Sequence, residues 1–307
     1  MQRYLRSLLY VIAAVLTAAC ANLAAVRDFS SSSSKLTGYT DVTARYVSGP
    51  DRIEPQIPAG ADFDIDRAAM AKQKAELASQ KESLLKLHAV TAGYLAALAT
   101  LAGDDALNIS PQIDKVTGAL VAAPKLGIDA TAVQAYGSIA SKVASWILTA
   151  EQARQVKTMV NEFGPSMDVL LAAMQTATTA MREEFLSERS RLVQYERTRM
   201  APFMTPVGLE RPSSGTPDPA REEERQQMLR RNQSILAWAA RGYAQIAADQ
   251  DKAVGSTTSA IEGIKVVRKG HEDLQKNIDN LSGEQLVKLL KKAKSDLDAV
   301  RGDLQKL

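Results

Sequence analysis

Residues Asp66–Leu101 read DRAAMAKQKAELASQKESLLKLHAVTAGYLAALATL. Met70, Leu77, Leu84, Thr91 and Leu98 fall seven apart, and Leu87, Tyr94 and Leu101 occupy the complementary positions. That repeat puts all eight side chains on one stripe of a helix, the seam of helices packed nearly parallel. Gly103-Asp104-Asp105 ends the run. Composition points the same way: Ala, Leu, Gln, Lys and Glu are abundant and aromatics are 5%, so good helix formers dominate and strand formers are scarce.

Working outward, the same pattern recurs. Ser110-Pro111 caps and opens a shorter helix to about Ala123, where Pro124 stops it. Asp129 starts a long helix with Val133, Tyr136, Ile139, Val143, Ile147, Val156 and Val160 on one face. Gly164-Pro165 breaks it, and the next runs to about Met200 with Leu170, Met174, Ala177, Met181 and Phe185 inward. Residues 201–219 carry five prolines and two glycines and read as a loop. A fourth long helix spans Ala220 to about Ala253, with Met228, Ile235, Trp238 and Ile246 facing the core. Beyond it, Gly255, Gly263 and Gly270 weaken the helical pattern. Ser282 and Gln285 make a capping box for a last helix carrying Leu286, Leu289, Ala293, Leu297, Val300, Leu304 and Leu307. The expectation is all-α: an elongated antiparallel bundle of about four long helices plus shorter ones, each long helix roughly 50 Å.

The stretch before the bundle has a different character. Arg3 and Arg6 precede an apolar run from Leu8 to Leu16, followed by Leu16-Thr17-Ala18-Ala19-Cys20. A basic start, an apolar core and small residues before a cysteine are the layout of a secretory signal peptide. The segment resembles the lipobox of bacterial lipoproteins. The resemblance implies cleavage before Cys20, a diacylated Cys20 thiol, an acylated new amino terminus, and a body held at a membrane. An uncleaved anchor over Leu8–Val26, near the length of a bilayer span, and ordinary secretory cleavage are the other two readings. Ala21 follows the cysteine in place of an aspartate, which by the same resemblance favours the outer membrane. Cys20 is the only cysteine, so the exported body has no disulfide.

The expected domains are a signal peptide at 1–19, a lipidated cysteine and flexible tether at 20–61, and a helical bundle at 62–307. The Ser30–Ser34 run and Pro50, Pro55 and Pro58 suggest a tether reaching roughly 35–40 Å. Formal charge falls from +3 to about +1 when Arg3 and Arg6 leave with the signal. No electrostatic case for nucleic acid or for an anionic lipid surface survives that subtraction of overall charge.

Chemical motifs are scarce. His88 and His271 sit in no Glu-x-x-His or His-x-x-x-His arrangement, so the carboxylate-bridged metal bundle lacks its ligands. There is no nucleophile elbow, phosphate loop or dinucleotide fingerprint. Ser32 and Lys35 match Ser-x-x-Lys in letters only, within a serine run. His271-Glu272-Asp273 reads as a solvated helix turn before a metal site, because adjacent residues on a helix do not face one another. Lys288, Lys291, Lys292 and Lys294, and Arg189, Arg191, Arg197 and Arg199, form basic faces interleaved with acids. The apolar stretch Ala89–Ala102 faces Val116–Ala123 and reads either as close helix packing or as a hairpin that enters membranes.

The functional expectation is a non-enzymatic, cofactor-free, lipid-anchored envelope protein. It faces the periplasm from the outer membrane, is held in the bilayer through acylated Cys20, and binds another envelope protein. A periplasmic immunity-type lipoprotein that neutralises a toxin, and a membrane-acting protein using the 89–123 hairpin, are the alternatives. Tyr94, Leu98, Phe203 and Met204 are the candidate partner or membrane contacts.

Overall fold

The computed structural model describes residues 23–103, 118–143, 152–204, 219–281 and 283–304. The protein is all-α. We number the helices α1 (residues 23–37), α2 (Asp41–Val47), α3 (Gly49–Ile53), α4 (Asp64–Leu101), α5 (Ala130–Val143), α6 (Gln152–Met204), α7 (Pro219–Lys276) and α8 (Glu284–Leu304). One isolated antiparallel bridge, Ala123 to Ile128, is the sole extended pairing among the described residues.

The heptad stripe is the core of α4. Met70, Leu77, Leu84, Leu87, Thr91, Tyr94, Leu98 and Leu101 are all buried. Asp64 and Asp66 sit in its first turn, where carboxylates favour the helix dipole. Gly103, at φ 97°, follows its end in the left-handed region that glycine tolerates. Asp129 opens α5 as the sequence predicts, its Oδ1 accepting from the Ala132 amide at 2.9 Å.

The chain divides into two compact units. The first draws its described residues from 23–45, 78–182 and 255–304, the second from 46–77 and 183–254. In the first, α1 is antiparallel to α4: Ser34 Oγ donates to the Ala92 carbonyl, and His88 Nδ1 meets the Thr37 carbonyl. In the second, Ile53, Ile57, Met70, Leu192 and Tyr195 form a core with Phe63 and Ile246 against it.

Three expectations are corrected. The tether of residues 20–61 is a folded part of the protein from residue 23 onward. Val26, Phe29, Ser30, Ser33 and Thr37 follow a helical period, and all are buried. The serines serve there as small residues that let helices approach. Second, Gly164-Pro165 does not break a helix, because α6 runs through it for 53 residues. Proline removes one backbone bond, but Phe163, Met167, Leu170 and Leu171 are buried on both sides and hold the turn. The glycine answers a close approach: the Gln275 side chain occupies the space a Cβ would need.

Third, α7 continues through Gly255, Gly263 and Gly270 to Lys276, 58 residues in all. Gly263 and Gly270 lie two turns apart on one face. A Cβ at Gly263 would stand 2.6 Å from Leu36 Cδ2, and one at Gly270 would stand 2.6 Å from Phe29 Cζ. Those glycines are the groove that receives α1. Four similar helices are thus replaced by α4, α6 and α7 of 38, 53 and 58 residues, with α8 of 21. The short helix expected to reach Ala123 is not helical over residues 118–123. Its start, Ile147, Ser282 of the capping box and most of the Pro-rich loop lie outside the described residues.

Candidate functional site

The most chemically suggestive group is buried. Asp168 on α6, His271 on α7 and Tyr94 on α4 form a chain, with His271 Nδ1 3.1 Å from Asp168 Oδ1 and Nε2 3.1 Å from the Tyr94 hydroxyl. In the neutral tautomer whose Nδ1–H donates to the Asp168 carboxylate, Nε2 accepts from the phenol. The two rings meet edge to face at 5.6 Å. Burial, then the Asp168 charge, raises the Tyr94 pKa, so the phenol stays protonated. Tyr94 and His271 are fully buried, which leaves no space beside them for a reacting group. The chain pins three helices together and satisfies polar groups in the core.

His88 plays a similar part. Its Nδ1 lies 2.7 Å from the Thr37 carbonyl and Nε2 3.0 Å from Thr43 Oγ1. Desolvation lowers its pKa, against the pull of the Thr37 bond. It borders a cavity of about 20 Å³ with Leu36, Tyr39, Met174 and Thr178, room for about one water and no substrate. In the second unit, Arg52 donates from Nε and Nη2 to both Glu188 oxygens at 2.9 Å, and Gln250 Nε2 donates to Oε1 at 2.8 Å. The Glu188 side chain is 1% exposed. Arg52, from the supposed tether, neutralises a buried carboxylate between α6 and α7.

The remaining sequence motifs are absorbed by packing. Ser32 Oγ donates to Asp298 at 3.1 Å while Lys35 is exposed, so the Ser-x-x-Lys letters form no pair. His271 turns into the core, whereas Asp273 bonds Lys269 and Glu272 lies near Arg268 and Lys276. Among the described residues no three His, Cys, Asp or Glu side chains converge as metal ligands. Arg189 pairs with Asp251, Arg191 with Glu184 and Arg199 with Glu196. A shallow groove of about 440 Å³ beside α5, lined by Leu120, Val133, Tyr136 and Ala140, offers no acid–base pair.

The four proposed contact residues part ways. Tyr94 and Leu98 are wholly buried in the first unit and are presented to neither lipid nor partner; their apolar neighbours fill the core. One helical stretch among the described residues, Ala61–Leu101, is long and apolar enough to cross a membrane, and 78% of its apolar window is buried inside the fold. Phe203 is half-buried and Met204 is 65% exposed at the end of α6. Cys20 lies outside the described residues.

The surface feature that helical periodicity misplaces is on α7. Trp238, expected inward, is 73% exposed; Met228 and Tyr243 are also exposed. From Gln226 to Ala248 there is no carboxylate, and Arg230, Arg231 and Arg241 are all exposed. Arg231 and Arg241 stand seven before and three after Trp238, on its side of the helix. Over this stretch only Ala239 is buried. The signal was legible as a run of 23 residues holding a tryptophan and cations of one sign.

Comparison with protein families, with curated proteins and with solved structures finds no match for this chain.

Proposed function

We propose that this is a lipid-anchored cell-envelope protein that acts by binding another protein, facing the periplasm from the outer membrane. The anchor is Cys20, on the strength of its lipobox-like setting. The binding reading rests on the exposed stretch of α7 that holds Arg231, Trp238 and Arg241 on one side, with Met228, Arg230 and Tyr243 also exposed around it. Exposed tryptophan flanked by arginine is the composition of interface centres, where large rings and planar cations supply most of the affinity. The absence of carboxylates over the same stretch favours an acidic partner surface. No cofactor enters this reading, and binding alone is the activity.

The test is a photo-crosslinking amino acid at position 238, and at exposed Lys72 on α4 as a control, in cells. A discrete adduct from 238, absent from 72 and lost when Arg231 and Arg241 become Glu, supports the proposal. Equal or absent adducts at both positions overturn it.

A further inference from the structure

We infer that the first structural unit rests directly on the bilayer, with the amino-terminal half of α8 against anionic headgroups. This goes deeper into the proposed function and rests on acylation of Cys20.

Residue 23, the first described residue of α1, is already helical and lies three peptide links after Cys20. At about 3.3–3.6 Å per residue the leash is about 10 Å. A tether through residue 61 would have allowed roughly 35–40 Å. With Phe29, Ser33 and Thr37 buried in the unit, letting out more chain would mean pulling α1 from its groove. The body therefore stays within a leash length of the lipid.

The register between α1 and α8 says which end faces the lipid. Asp28 acts electrostatically on Lys294, and Ser32 bonds Asp298. Four residues further on, Leu36 and Val300 meet over Gly263. Helices α1 and α8 thus run in the same direction and advance in step. Carrying the register back, the start of α1 lies beside the turn that holds Lys288, Lys291 and Lys292.

Charge is divided along α8. Glu284–Lys294 holds four lysines and one glutamate, whereas residues 295–304 hold three aspartates and one arginine. Lys288, Lys291 and Lys292 are exposed. Of the other carboxylates towards that end, Asp279 is paired with Lys157, Asp273 with Lys269, and Glu272 lies near Arg268 and Lys276; Glu284 reaches Lys288 at 3.7 Å. The half of α8 beside the anchor is attracted to an anionic surface and the far half is repelled. Each lysine near such a surface adds a modest attraction, whereas an acyl chain buries many methylenes in the bilayer. The chains set retention, and the lysines set orientation.

The test uses the acylated full chain in vesicles containing phosphatidylglycerol and a headgroup-quencher lipid. Cys20 is the only cysteine, and acylation consumes its thiol, so Lys291→Cys or Lys35→Cys supplies a unique site for a fluorophore. Lys35 lies about 18 Å along α1 from residue 23. The expected result is several-fold stronger quenching at 291 than at 35, with the difference shrinking in phosphatidylcholine vesicles. Equal quenching at both sites, or none above a Cys20→Ala control, overturns the seating. A difference indifferent to lipid charge overturns the headgroup contact. The mass of the purified chain separates the two layers: unacylated Cys20 removes the anchor and this inference together, whereas acylated protein with equal quenching removes the inference alone.

Discussion

Replacing Gly270 by alanine is expected to destabilise the protein, although alanine is the better helix former. On propensity alone the substitution gains about 1 kcal/mol in a helix interior. The new Cβ would lie 2.6 Å from Phe29 Cζ, about 1 Å inside a comfortable carbon–carbon contact. Phe29 is fully buried, so its ring has no free direction to turn. Overpacking of this kind costs about 1–3 kcal/mol. Set against the propensity gain, this leaves a net loss of up to about 2 kcal/mol and a fall in Tm of up to several degrees. Gly255, on the same helix, has nothing within 4 Å of a built Cβ, so Gly255→Ala is expected to gain about 1 kcal/mol. Shortening the ring with Phe29→Leu in the Gly270→Ala background is expected to recover part of the loss, a coupling of about 1 kcal/mol. Urea unfolding followed by circular dichroism measures the wild type, these variants and the Phe29→Leu single variant that closes the cycle. If Gly270→Ala stabilises as Gly255→Ala does, α1 is not seated on α7 and the folded reading of residues 23–37 is wrong.

Other substitutions probe the polar core. Arg52→Ala leaves Glu188 buried without its cation, and a loss of about 3 kcal/mol in denaturant unfolding is expected; Arg52→Met with Glu188→Met should recover most of it. His88 makes stability depend on pH. Burial holds its folded pKa below the ordinary 6.5, so the unfolded chain takes the proton first on acidification. Its contribution is complete above about 6.5 and declines as pH falls toward the folded value, with a slope of up to about 1.4 kcal/mol per unit. A His88→Gln chain should show a flatter stability profile as pH falls from neutral through 6.5. Leu98→Ala, in a wholly buried site, should cost about 2–5 kcal/mol, read as a lower urea midpoint; unchanged stability would mean that Leu98 is not in the core.

The helical character of the chain was legible wherever large apolar residues carried the period. The eight residues of the α4 stripe are buried as their spacing implies, and so are Leu170, Met174 and Phe185 of α6. What misled was small residues read by composition alone. Serines 30 and 33 and glycines 263 and 270 look like flexible or weak sequence, yet the serines are buried and the glycines lie against the Leu36 and Phe29 side chains. A glycine that breaks a lone helix permits contact when a neighbour's side chain arrives, and only the neighbour decides between the two. Trp238 failed for the converse reason. Its helical phase fits a core position, but Trp238 is 73% exposed and is not covered by any of the described elements. The polar chain of Asp168, His271 and Tyr94 joins residues up to 177 positions apart, and no local spacing announces it.

The most direct measurement is the mass of the amino-terminal tryptic peptide of the protein taken from its native envelope. The account predicts a peptide of residues 20–27 beginning at Cys20 and carrying acyl chains on both the thiol and the amino group. Recovery of an unmodified peptide of residues 7–27, with Cys20 in its interior and a free thiol, would contradict the lipid anchor and the membrane-facing orientation built on it.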